Sequence, residues 1–140
     1  MSAEHLEAIR QLKARYFRCI DTKDWRGLRD VVCDDIEVDV EADSGRRYAG
    51  GDAFVASVQR SLTGTVSVHH GHMPEIDVTC STTATGIWSM EDEIWFPEGA
   101  PIRYLHGYGH YYETYRPEPD GQWRIASLRL VRLRRDVAEW

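Results

Sequence analysis

The sequence predicts an α+β fold: a cone-shaped, curved antiparallel sheet wrapped by three N-terminal helices. Two patterns carry this reading. Apolar residues recur at helical spacing in the first part of the chain and alternate at strand spacing in the rest. The last three strands are long and are separated by the turns "PEGAP" and "PEPDGQ". Helices followed by a meander place the helices on one face of the sheet. Strands of this length curl, and a curled sheet capped by helices leaves a cone with an open mouth.

The elements follow in order. From Ala3 to Asp21, Leu6, Ile9, Leu12, Tyr16 and Ile20 recur at helical spacing, with Glu7, Arg10 and Lys13 between them. Asp24 is placed to cap a short helix from Trp25 to Val32. Ile36, Val38 and Val40 alternate with charges as a half-buried strand, and Ser44–Gly45 forms a turn. Gly50–Gly51–Asp52 opens a third helix with Phe54, Val55 and Val58 on its apolar side. Short strands are expected at Val66 to His72 and Glu75 to Cys80, and long ones at Thr83 to Phe96, Ile102 to Tyr115 and Gln122 to Leu133.

Composition narrows the function. A chain of 140 residues suits one domain, 1–140, with a single core. A net charge of −6 argues against a nucleic-acid surface. Three cysteines without CxxC spacing read as free thiols of a reducing compartment. Neither a signal peptide nor an apolar run able to span a bilayer is visible, so a cytoplasmic protein without membrane contact is expected.

The segment "SVHHGHMPEI" concentrates the histidines. His70 and His72 are two apart and share a strand face, and Glu75 lies just beyond. With Gly64 upstream, this is similar to the first metal motif of the cupin family. Glu75 comes one residue too early, however, and the histidine needed soon after Pro97–Glu98–Gly99 is missing, with Ile102 and Arg103 near that place instead. No metal is therefore expected. His69 takes the opposite face, with Ser67 and Gly71, and points into the cone. A carboxylate beside it would hold its tautomer and stabilise the imidazolium after proton uptake. Asp21, which follows the core position Ile20 at the end of the first helix, is the best-placed carboxylate.

On the strand Ile102–Tyr115, His106, Tyr108, His110 and Tyr112 share a face; Trp88, Met90 and Phe96 do so on the strand before it. An aromatic-lined hollow is one result, with Trp88, Tyr108 and Tyr112 as substrate contacts. Plain core packing of these rings is the other. If Trp88 and His110 face the hollow, Trp95, Tyr111 and Tyr115 face outward as an apolar patch, and self-association follows.

Together "AIRQLKARYFRCIDTKDWRGLRDVVCDDIEVDV", "YAGGDAFVASV", "VHHGHMPEI" and "GYGHYYETYRPEPDGQWRIASLRL" resemble the SnoaL-like branch of the nuclear transport factor 2-like superfamily over nearly the whole chain. The closest pattern is that of the scytalone dehydratase and bile-acid 7α-dehydratase type. The resemblance implies a catalytic Asp–His pair at Asp21 and His69, a tyrosine acid at Tyr16, and a second histidine for which His110 is the candidate. It also implies a dimer or trimer built through the sheet face. The expected function is a cofactor-independent lyase of dehydratase type, acting on a small hydrophobic, ring-containing substrate. A ketosteroid-type isomerase in the same pocket and a non-catalytic small-molecule-binding module remain open, because the fold does not fix the function.

Overall fold

The computed structural model describes residues 2–40 and 45–140. Helical periodicity in the first segment becomes α1 (Ser2–Asp21). Ile9, Leu12, Tyr16 and Ile20, spaced three or four apart, are buried along it as one stripe. Asp24 caps α2 (Trp25–Asp30), its Oδ1 accepting the Gly27 N–H at 2.9 Å. α3 (Gly51–Leu62) starts after Gly50, whose φ of 102° suits glycine, and buries Phe54 and Leu62. No described helix is long and apolar enough to cross a membrane.

The strands are β1 (Val32–Val40), β2 (Arg46–Ala49), β3 (Val66–Cys80), β4 (Thr83–Trp95), β5 (Tyr104–Pro117) and β6 (Trp123–Ala138). They form one sheet in the order β2-β1-β6-β5-β4-β3. β3 to β6 are the expected antiparallel meander. The sheet as a whole is mixed, because β1 pairs with β6 in parallel. That pairing joins strands far apart in the chain, which local alternation does not report. β2 was not expected, since "RRYA" opens with two exposed arginines and shows no apolar alternation. Of the expected Ser44–Gly45 turn, Ser44 lies outside the described residues; Gly45 has a φ of 72°.

The two short strands expected before Cys80 are one strand bent at Met73–Pro74. Register shifts between His72 and Glu75, and Met73 takes a φ of 24°. Further shifts fall between Tyr108 and Gly109 and between Thr114 and Tyr115 in the β5–β6 ladder. Such bulges bend a strand and increase its twist, and they curve the sheet around α1 and α3.

The faces of β5 are the reverse of those expected. Leu105, Gly107, Gly109, Tyr111, Glu113 and Tyr115 are buried toward the helices, whereas His106, Tyr108, His110 and Tyr112 are only half-buried and lie on the outer face. Across the ladder Trp88 faces Tyr111 and Ser89 faces His110, so Trp88 and His110 cannot share a side. Periodicity misleads here because two inward positions are glycines while the outer ones carry rings. Tyr111 and Tyr115 are 3% and 1% exposed, and Trp95 alone of the expected outer patch is exposed, at 41%. Its ring tilts against Tyr104, centroids 5.4 Å apart.

Candidate active site

Asp21 is the last residue of α1. A carboxylate there meets the negative end of the helix dipole, so it needs compensation from elsewhere. β3 supplies it. The His69 N–H donates to Asp21 Oδ2 at 2.8 Å, the Ser67 hydroxyl donates to Oδ1 at 3.1 Å, and His69 Nδ1 lies 2.7 Å from Oδ1. Lys23 Nζ donates to Ser67 from the other side at 3.1 Å. The close approach of α1 to β3 depends on Gly71, where a Cβ would fall 2.6 Å from Phe17 Cε2. Phe17 in turn stacks on the His69 ring, with 6.5 Å between centroids. Residues separated by 48 positions are thus joined by two direct hydrogen bonds.

A proton on Nδ1, shared with Asp21, leaves Nε2 as the basic nitrogen. His69 lines an open cavity of about 310 Å³ between α1, α3 and the inner sheet face. Tyr16, Phe54, Ile94, Tyr111 and Leu130 are among its walls, with Asp92 and Arg132 as its charged groups near the histidine. Nε2 lies 3.8 Å from Asp92 Oδ2, a charge contact too long for a hydrogen bond. A larger hollow of about 470 Å³, lined by Glu37, Asp39, Arg47 and Arg129 among others, contains no residue of the dyad.

Tyr16 belongs to this cavity. Its ring meets that of Tyr111 edge-on, with centroids 6.1 Å apart. Burial, reinforced by the negative charge of Glu113, pushes the Tyr16 phenol well above its ordinary range, and burial does the same to Tyr111. Both phenols stay protonated at neutral pH and are available as donors. Behind them the Lys13 ammonium sits 3.7 Å from each ring centroid and 2.6 Å from Glu113 Oε2.

Four residues expected at the site do not line the cavity. His110 and Tyr112 are neighbours on the outer face, ring centroids 6.3 Å apart, and Tyr112 lies under the Arg129 guanidinium at 4.8 Å. Tyr108, also outside, stacks on His106 at 4.4 Å. Trp88 does point inward but does not line the cavity; its Nε1 donates to the Tyr115 hydroxyl at 2.8 Å within the core beneath α1.

The sequence reading missed Asp92, faced Tyr111 outward, and left Arg132 among the C-terminal arginines that read as a solvated rim or as substrate contacts. Arg132 donates from two nitrogens to both oxygens of Asp92 at 2.9 Å, a bidentate pair in which Asp92 is 3% exposed. Burial alone would raise the Asp92 carboxyl, but the Arg132 hydrogen bonds and charge outweigh it and hold the group below its usual range. Gly107 makes room for the pair, since a Cβ there would overlap both partners. A signal was present: Asp92 continues the inward parity of Trp88 and Met90, and Arg132 that of Leu128 and Leu130. A charge on an apolar face needs a partner or a purpose.

The fold has close counterparts among solved structures. One is a candidate scytalone dehydratase from Novosphingobium aromaticivorans, 21% identical, with a TM-score of 0.85 over 99% of this chain and 93% of that one. Another is a hexachlorocyclohexane dehydrochlorinase, LinA type 3, from Novosphingobium barchaimii, 18% identical, with a TM-score of 0.83 over 97% of this chain and 91% of that one. A protein from Kribbella flavida is 22% identical, with a TM-score of 0.85 over 96% of this chain and 94% of that one. At these identities the likeness is one of fold. The SnoaL-like domain family matches residues 1–129, and the chain belongs to that family.

Proposed function

We propose that the protein is a cofactor-independent lyase of dehydratase type, acting on a small, hydrophobic, ring-containing carbonyl compound. The observation that carries this is the Asp21–His69 contact of 2.7 Å at Nδ1, with the histidine set in a cavity that also holds the two protonated phenols. His69 Nε2 removes a proton from the carbon beside the carbonyl. Asp21 fixes the ring and stabilises the imidazolium. As the C–H electron pair becomes the C=C bond, the C–O bond on the next carbon breaks. The hydroxyl departs as water with a proton from Tyr16, whose ring packs edge-on against Tyr111. Arg132, with its charge partly answered by Asp92, stabilises negative charge on the substrate oxygen. A catalytic metal has no part in these steps.

The test is a panel of cyclic β-hydroxy ketones, followed by the absorbance of the conjugated enone formed. Enone formation by the wild-type chain, absent with Tyr16→Phe/His69→Gln, supports the proposal; no turnover on any member counts against it. The same phenol pair would also stabilise an enolate without a leaving group, which favours an isomerase as the second reading. A cyclic β,γ-unsaturated ketone lacking the hydroxyl, incubated in deuterated water, separates the two. Double-bond migration with deuterium incorporation assigns isomerisation. Tight binding without exchange assigns a binding module.

A further inference from the structure

The outer sheet face carries four of the six histidines, His70, His72, His106 and His110, none of which the dyad uses. Three groups on it converge. One ligand atom each from Glu91, Glu93 and His106 lies within 4.8 Å of the other two. His106 Nε2 is 3.1 Å from Glu91 Oε1, and His72 Nε2 is 3.0 Å from the other oxygen of Glu91. We propose that Glu91, Glu93 and His106 bind a divalent transition-metal ion of the zinc type, with His72 orienting the Glu91 carboxylate or closing the fourth position.

The geometry fits such an ion. Zinc holds nitrogen and oxygen ligands at about 2.1 Å, so two ligands of a tetrahedral site stand about 3.4 Å apart. The His106–Glu91 contact of 3.1 Å has to open by only a few tenths of an ångström. Both flanking ligands have a second partner that fixes their orientation. Tyr108 places its hydroxyl 3.3 Å from His106 Nδ1 and stacks on the ring, and the Tyr104 hydroxyl donates to Glu93 Oε2 at 2.7 Å. Metal-bound histidines and carboxylates are commonly held in this way. The ligands sit on adjacent paired strands, with Glu93 directly opposite His106 in the ladder, so the framework is rigid. One imidazole with two carboxylates favours zinc and its neighbours over magnesium or calcium, which prefer oxygen-only shells. The site lies on the opposite side of the sheet from His69 and is separate from the proposed chemistry.

Calorimetric titration of the metal-free full chain with zinc chloride tests this, with magnesium chloride as the comparison and circular dichroism of every variant as the fold check. One zinc ion per chain at micromolar affinity, with no magnesium signal, is expected. His106→Gln and Glu91→Gln should each weaken zinc by at least about tenfold, and His70→Gln should leave it unchanged. Absence of saturable zinc binding overturns the site, as does zinc affinity that survives both His106→Gln and Glu91→Gln. Loss of binding with His69→Gln instead would move the ion into the cavity and equally overturn it.

Discussion

Replacing Lys13 with methionine removes one charge from a fully buried ion pair: both side chains are 0% exposed and 2.6 Å apart. Glu113 is then left in the core with a single donor, the Tyr115 hydroxyl at 2.7 Å. Breaking a buried pair from one side costs about 3–5 kcal/mol. The surviving Tyr115 bond favours the lower end, while loss of the cation from two ring faces adds about 1 kcal/mol. The expected cost is therefore about 4 kcal/mol, or a melting temperature lower by about 12 °C for a domain of this size. Urea denaturation followed by tryptophan fluorescence measures it, and the double variant Lys13→Met/Glu113→Gln should be less damaged than the sum of the singles by about 2 kcal/mol. The pH dependence has a defined sign. Burial lowers the Lys13 ammonium from 10.5 to about 8, against the opposing pull of Glu113. Between those values the unfolded chain binds more protons than the folded one, so this group's contribution to stability rises with pH; Lys13→Met should lose that slope. Single variants costing under about 1 kcal/mol, combining additively, would show that the pair is not a coupled buried unit.

Three further outcomes follow from the site. Gly107→Ala inserts a methyl between Asp92 and Arg132 and should cost about 1–3 kcal/mol in urea denaturation, with weaker binding of cavity ligands by calorimetry. Arg132→Met leaves Asp92 buried without its partner; because Arg132 holds the Asp92 carboxyl below its ordinary range, the stability it confers is present above about pH 4 and lost as pH falls through the folded value, so the gap between wild type and variant in melting scans should close in acid. His110→Gln and Tyr112→Phe, both on the outer face, should leave turnover of any accepted substrate within about twofold.

Much of this molecule was legible in its sequence. The stripe Ile9–Leu12–Tyr16–Ile20 and the Asp24 cap gave α1 and α2 directly, because both depend on contacts within a few residues. The Asp21–His69 meeting was legible because two local facts converge: an acid directly after a core position at a helix end, and a histidine whose strand parity points inward. The orientation of β5 was not legible from its own pattern. Gly107 and Gly109 leave the inward face without apolar mass, and their reason is Arg132 and the β6 backbone, which the sequence places far away. The pairing of Asp92 with Arg132 escaped for the same reason. Each looks like an isolated charge on a strand, and only the ladder makes them a pair. The parallel β1–β6 contact likewise depends on chain-distant pairing.

The proposed chemistry stands on His69 as the base and Asp21 as the residue that holds it. Measuring kcat/KM for wild type, His69→Gln and Asp21→Asn on one accepted β-hydroxy ketone, with and without a chelator, addresses both. His69→Gln should lose about a thousandfold or more, and Asp21→Asn about a hundredfold through misorientation of the ring. Chelation should change nothing. Wild-type turnover in His69→Gln, or activity abolished by chelation and restored by one divalent metal, would contradict the dyad as the catalytic centre.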